Sequence, residues 1–413
     1  METIEAGPLD PRLEVFEEGL FRGCHSVGII TGQSRYNALI RVSRSFADLL
    51  ASLGVGSTMY SLLEPSDVEA MFEALQARRH AFYVSMQAWG YHFQHQGTSV
   101  FALARAPLIS ALGDPPGYHR DRLREVPKGM AIGVQKSDDI EPARQFLTNP
   151  TPVISWSLSS APGPAAVRPW SERPYPFAFL GSAPDVGGVT AKRMELSATH
   201  GSIFDEALEI VESSPSRDTR EVVREAFERR SMGGTEVGLA VTTLTSLVEV
   251  WMRNAKRARI VRRIRRRPLW LFGDGWGKEF GNQSNLRIIE ANYPTGFEGM
   301  EQVQVALNIF PTNHDLGHDR LELAFMAGAT LVSDRAPGLA GFEQARMAFG
   351  FDARDEKLDD VLDAIFADPA ELEATALRGS RWNTGPSLYT YECLLPIFDA
   401  ALLILARTDL GAL

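Results

Sequence analysis

Residues Asn313 to Asp334 read NHDLGHDRLELAFMAGATLVSD. His314, Asp315, His318, Asp319 and Arg320 crowd together just ahead of an apolar, helix-spaced pattern that stops at Gly328. Cationic hydrogen-bond donors gathered at the start of a helix suit an anion. With Val303–Asn308 as a strand, Pro311–His318 as its exit loop and Asp319–Ala327 as a helix, the helix presents free N–H groups and a partial positive charge to the loop. His314, His318 and Arg320 add donors there, and a phosphate or pyrophosphate is the natural guest. A plainer account is also open, in which Asp315 or Asp319 is only an N-cap and the histidines are solvated.

Other strand ends carry groups of similar promise. GDGWG (Gly273–Gly277) closes the apolar run PLWLF, and glycine lets backbone approach a ligand closely. Trp276 either stacks on a base or belongs to the core, and Asp274 is either a ligand contact or a turn residue. Gly181 follows FAFL in the same way, and Gly338 follows ATLVSD. In the first half, Asp114 and His119 of GDPPGYH come directly after LISAL. A carboxylate and an imidazole at a strand end are what a general base for a hydroxyl requires, although Asp-Pro is equally a turn signal. Gln33, Ser34 and Arg35 follow the first strand. HFQH (His92–His95) has i, i+3 histidine spacing without a third ligand. No Asp-x-Asp occurs, so a divalent ion held by such a pair is not suggested.

The elements that must position these groups alternate. SVGIITG (Ser26–Gly32) reads as a buried strand, Leu39–Gly54 as a helix capped by Gly54, STMYSLL as a strand and PSDVEAMFEALQARR as a helix. HAFYVSM, PLISALGD, MAIGV and TPVISWS continue the traffic, the mark of a doubly wound parallel sheet. Ser159–Pro176 holds five prolines and reads as a linker. Strand candidates then resume at FAFLGSAP, PLWLF, NLRIIEANY, VQVALN and ATLVSD, interrupted by a helical stretch from about Ala191 to Arg266. The end of the chain, from Leu358 to Leu405, is helical. The expected organisation is α/β: an N-terminal Rossmann-like domain at 1–158, a linker at 159–176, a C-terminal Rossmann-like domain at 177–390 with a helical insertion at about 191–266, and a final helix at 391–413. Two such domains would face each other across a ligand-binding cleft.

Bulk composition narrows the function. A chain of 413 residues, 44% hydrophobic and 23% charged, fits two globular domains. A net charge of -10 argues against general nucleic-acid binding. Cys24 and Cys393 offer no disulfide framework or cysteine metal site. The acidic start lacks a signal-peptide pattern, and no apolar run approaches ~18 residues, so a cytoplasmic protein is expected. Against this acidic background, RNAKRARIVRRIRRR (Arg253–Arg267) carries nine basic residues with Ala258, Val261 and Ile264 as an apolar stripe. It reads either as a solvated helix packed by that stripe or as a contact with an anionic inner membrane face or acidic acceptor.

LWLFGDGW, VALNIFPT and GHDRLELAFMAGATLVSDRAPGL resemble the C-terminal half of GT-B glycosyltransferases, nearest to the spore-maturation CgeB-like group. The resemblance covers about Phe177–Ala400, apart from the helical insertion. It implies a nucleotide-sugar donor held mainly by the second domain and an acceptor (protein, polysaccharide or lipid) held mainly by the first. It further implies a metal-independent transfer with the nucleotide-sugar as co-substrate and no separate cofactor. Gly181, Gly273, Asp274, Trp276, His314, His318, Asp319, Arg320, Glu322 and Gly338 are the donor-side positions it indicates. Arg320 and His318, with the helix N-terminus, would stabilise the phosphate leaving group. Glu343 weakly resembles an acidic donor contact. The chain departs from the pattern where a ribose-binding Glu is expected five residues before Gly328: Leu323 stands there. Glu322 is one residue away, about 100° around the helix. Two other readings stay open: a non-catalytic two-lobed nucleotide-sugar or sugar binder, and a nucleotide-sugar epimerase or hydrolase on the same fold.

Overall fold

A computed structural model describes residues 1–5, 7–32, 38–156, 167–214, 217–230, 232, 235–290, 296–310, 319–383 and 394–409. The chain divides into two units, Met1–Ala161 with Leu388–Leu413, and Pro162–Ser387.

In the first unit the apolar runs become β2 (Ser26–Thr31), β3 (Gly56–Ser61), β4 (Phe82–Met86), β7 (Leu108–Ala111), β8 (Met130–Val134) and β9 (Val153–Ser155). They are joined by β1 (Glu2–Ile4) in a seven-stranded sheet ordered β1-β3-β2-β4-β7-β8-β9. Every pairing is parallel except β1 on β3. β5 (Gln94–His95) and β6 (Thr98–Ser99) form a small separate ribbon. β4 and β8 are buried at every position, as strands covered on both faces must be. Part of that cover comes from the chain's end. Phe398, in helix Leu395–Asp409, packs its ring 5.1 Å from Phe16, 5.6 Å from Phe21 and 5.9 Å from Phe82. The final helix therefore belongs to the first unit, and the leading 25 residues supply core side chains to it.

The second unit is a six-stranded, wholly parallel sheet ordered β12-β11-β10-β13-β14-β15. Its strands are β10 (Tyr175–Leu180), β11 (Leu269–Phe272), β12 (Leu286–Ile289), β13 (Val303–Asn308), β14 (Thr330–Asp334) and β15 (Ala348–Phe351). Residues 167–176, expected as linker, are tied into it. Trp170 Nε1 donates to the Gln304 carbonyl at 2.8 Å. Arg173, 4% exposed, donates to the carbonyls of Arg168, Val303 and Ala327. Burial lowers its pKa to about 10, so the cation persists at neutral pH. The two-Rossmann-unit architecture implied by the resemblance is the one observed, with the helical insertion in the second unit.

That insertion is made of helices Val186–Met194, Ala198–Ser213, Thr219–Glu228 and Thr235–Arg263. Ile203, Phe204, Val222, Phe227, Leu244 and Val248 give it a core of its own. The end of the long helix turns to the sheet, where Ala258, Val261 and Ile264 join Phe179, Leu269 and Leu271. Its arginines have partners inside the unit. Arg259 pairs with Glu212, Arg262 with Glu279, Arg266 with Asp359, Asp360 and Asp363, and Arg267 with Asp363. Arg263 donates to the carbonyls of Ala353 and Asp355.

Candidate functional site

Because all strands of the second unit run the same way, their carboxyl ends share one edge. The strand order reverses between β10 and β13, where open α/β sheets bind ligands. Two glycine turns meet close by. Gly181 N–H donates to the Phe272 carbonyl at 2.8 Å, and Ala183 N–H to the Asp274 carbonyl at 2.9 Å. Gly273 has φ +139°, and a Cβ there would lie 2.4 Å from the Gly181 oxygen. Only glycine fits such an approach.

Trp276 holds this junction from beneath. Its Nε1 donates to the Gly181 carbonyl at 2.7 Å, and its ring stands edge-on to Phe179 at 5.8 Å. It is fully buried, so the expectation that it stacks on a base is corrected: Trp276 is core, and it fixes the turn that faces outward. Asp274 is exposed at the turn.

Cations converge on the same edge. Arg320, near the start of helix Asp319–Met326, donates Nη1 to Asn308 Oδ1 and to the Ile309 carbonyl, both at 3.4 Å. Its guanidinium lies 4.8 Å from the centroid of Phe179. Arg257, from the long insertion helix, covers the same ring at 5.2 Å and donates to the Ser182 carbonyl at 2.7 Å. Next to it, Lys256 Nζ sits 2.8 Å from Asp334 Oδ2, at the end of β14. Asp334 is buried, and its Oδ1 accepts from Phe310 N–H at 2.7 Å. Asn308, also buried, donates to Ser333 Oγ at 2.9 Å. Lys256 thus pairs with the buried Asp334, while Arg257 and Arg320 share the Phe179 ring beside the close-packed backbone of the glycine turns. That arrangement favours a multivalent anion.

The sequence reading named Arg320 but not Lys256 or Arg257, which it grouped with a surface-facing basic run. Of the other expected residues, Gly338 is half-buried in the short turn Pro337–Leu339 after β14. Glu322 is half-buried on its helix, and Leu323 is core at 4% exposure, so position 323 holds no ligand. His314, His318 and the Asp319 side chain lie outside the described residues, as do Gln33, Ser34 and Arg35. Glu343 pairs with Arg335 at 3.2 Å. Among the described residues no group of three or more His, Cys, Asp or Glu side chains is placed to hold a metal ion.

In the first unit the strand order reverses between β2 and β4. Asp114 and His119, just beyond β7, come together there. Asp114 is half exposed and lies 3.9 Å from His119 Nε2, and it accepts from Gln87 Nε2 at 3.3 Å. His119 is buried, and burial lowers its pKa, with the Asp114 charge opposing that shift. Gln87 and Ala88, immediately after β4, hold left-handed backbone at φ 58° and 59°. Such strain in non-glycine residues persists only where surroundings enforce it. Here Arg122 Nη1 donates to the Gln87 carbonyl at 2.7 Å, Ser85 Oγ donates to the Trp89 carbonyl at 2.7 Å, and Arg122 covers the Trp89 ring at 4.7 Å. Gln87 Oε1, Trp89 Nε1 and His119 Nε2 are left buried without hydrogen-bond partners. Gln87, Trp89 and Arg122 were not singled out from sequence. The available signal was Gln-Ala-Trp-Gly directly behind a strand.

Two Rossmann-like α/β units, each carrying polar groups at the carboxyl ends of parallel strands, define the class of fold. No family model matches the chain, and no curated protein does. Among solved structures the chain is similar to sucrose-phosphate synthase from Thermosynechococcus elongatus, at 9% identity, 94% of this chain, 100% of that one and TM-score 0.44. It is also similar to Anabaena HepE in complex with UDP-glucose, at 10% identity over 94% and 100% of the chains and TM-score 0.43. WaaG, a glycosyltransferase involved in lipopolysaccharide biosynthesis, matches at 13% identity over 92% and 99%, with TM-score 0.40.

Proposed function

We propose that this chain is a GT-B glycosyltransferase that moves a sugar from a nucleotide-sugar donor to an acceptor hydroxyl. The observation that carries the reading is the convergence of Arg257 and Arg320 on the Gly181 turn and the Phe179 ring, with Lys256 at the neighbouring strand end on Asp334. Departure of a nucleoside diphosphate builds negative charge on its phosphates. Preorganised cations and N–H groups stabilise that charge without reorganising at the moment of reaction. With cations supplied by the protein, the transfer is metal-independent. The motif that resembles GT-B enzymes, GHDRLELAFMAGATLVSDRAPGL, includes Arg320 and ends β14 at Asp334.

The acceptor side belongs to the first unit. A buried imidazole with lowered pKa is neutral at pH 7, so His119 Nε2 is an acceptor when the other ring nitrogen carries the proton. His119 Nε2 and Gln87 Oε1 are both unpartnered acceptors, which calls for a ligand that donates. A hydroxyl does so, and His119, with Asp114 beside it, is the base that takes its proton.

A non-catalytic nucleotide-sugar binder is the second reading, favoured by Leu323 at the position of the ribose carboxylate. The test is melting-temperature shift with UDP-, GDP-, dTDP- and CMP-sugars, followed by release of free nucleotide with and without acceptor. His119→Gln is expected to keep donor binding and to lower turnover by about 100-fold or more. Donor binding with no release favours the binder. Release without transfer favours a hydrolase.

A further inference from the structure

We infer that the first unit carries a second ligand site, independent of glycosyl transfer, for a small organic anion with an apolar body. The site is a groove of about 530 Å³ at the amino end of β9, lined among others by Arg144, Leu147, Thr151, Ile154, Leu403 and Arg407. It lies off the strand end opposite to the one near Asp114 and His119, because residues 149–152 lead into β9. Its volume falls in the range of small-molecule sites.

The charge of the groove is unbalanced. Two arginines line it and no carboxylate does, in a chain of net charge -10. Arg144 is more than half exposed and has a loose 3.9 Å contact with Glu141. Arg407 donates Nη1 to the Pro150 carbonyl at 3.3 Å, which aims the guanidinium across the groove and leaves further donors for a ligand. Between them Thr151 is 8% exposed, and its hydroxyl is buried with no hydrogen-bond partner. A buried hydroxyl without a partner is costly, and an anion oxygen held by the arginines would accept from it. Leu147, Val153, Ile154 and Leu403 supply the apolar wall, with Leu403 44% exposed on the outer face of its helix. A carboxylate or phosphate head on an alkyl or aryl body matches both parts.

The test is calorimetric titration of the full chain with octyl phosphate below its micelle concentration, with inorganic phosphate and octyl glucoside as controls. Saturable binding of one octyl phosphate is expected, tighter than either control. Arg144→Gln with Arg407→Gln should weaken it about tenfold or more, as loss of charged hydrogen bonds does. Thr151→Val removes a hydroxyl that bonds to nothing within the protein, so it should keep or raise the melting temperature while weakening octyl phosphate severalfold. Inorganic phosphate or octyl glucoside binding as tightly as octyl phosphate would overturn the proposal. So would unchanged affinity in both variants, or absence of saturable binding. Co-sedimentation with phosphatidylglycerol vesicles without octyl phosphate binding would assign the arginines to a membrane surface instead, and would equally overturn it.

Discussion

Replacing Arg320 by alanine separates a phosphate ligand from a structural cation. Among its contacts within the unit are two long hydrogen bonds of 3.4 Å and a cation–π contact at 4.8 Å. Bonds of that length sit at the weak end of the scale, and an exposed cation–π contact is worth about 0.5–1 kcal/mol. Loss of these contacts should cost the fold about 1 kcal/mol, worth roughly 2–4 °C of melting temperature for a unit of this size. A charged hydrogen bond to phosphate is worth about 1.5–3 kcal/mol, so nucleoside diphosphate affinity should fall about 10- to 100-fold. The assay is titration of the variant with whichever nucleoside diphosphate most raises the wild-type melting temperature, and with the matching unphosphorylated nucleoside. Diphosphate affinity should collapse while nucleoside affinity holds. Arg320→Lys should recover only part of the loss, because an ammonium keeps the charge but not the bidentate fork. Equal shifts for both ligands, or none for the diphosphate, would refute the assignment.

Two further outcomes follow from the packing. His80 is 6% exposed and bonded to Tyr60 Oη at 2.7 Å and Ser26 Oγ at 3.0 Å, and burial lowers its pKa to about 4. The unfolded chain, with histidine near 6.5, binds the proton first as pH falls. Stability is thus complete above about pH 6.5 and is lost down to about pH 4, by roughly 3 kcal/mol in all. Urea titrations across that window should show it, and His80→Gln should flatten the slope; an unchanged slope in that variant would place the dependence elsewhere. Gly273→Ala forces a side chain into backbone 2.4 Å away at φ +139°. Strain and overpacking together predict about 2–5 kcal/mol of destabilisation, and a urea midpoint like that of wild type would show that the two turns do not meet as described.

Much of the fold was legible because buried parallel strands are written as short apolar runs closed by glycine, proline or aspartate. VQVALN became β13 residue for residue, and SVGIITG became β2 up to the glycine that ends it. β1 escaped because Glu-Thr-Ile is short and mostly exposed, with no alternation to read. β15 escaped because Gly350 interrupts its short apolar run of four residues. Asp114 and His119 were singled out together because both follow one strand, and the structure brings them within 3.9 Å of each other. Trp276 could not be decided from sequence because an aromatic behind Gly-Asp-Gly fits either role, while Phe179 and Phe280, which bury it, come from a distant strand and from its own helix.

The insertion helix carries the larger lesson. Charge alone could not tell which of its basic residues leave the surface. Ala258, Val261 and Ile264 form the stripe that meets the sheet, so a residue at the border of that stripe must run along the sheet's edge. Arg257 is such a residue, three and four positions before Ile260 and Val261, and Lys256 adjoins it. Both reach strand ends, at Ser182 and Asp334. Arg257 and Arg320 also share the Phe179 ring, one from inside the insertion and one from beyond it in sequence. The insertion is therefore not an appendage to the sheet. It brings Lys256 and Arg257 to the strand ends, and a shift of its register by one residue would carry Arg257 about 100° around the helix and away from that ring.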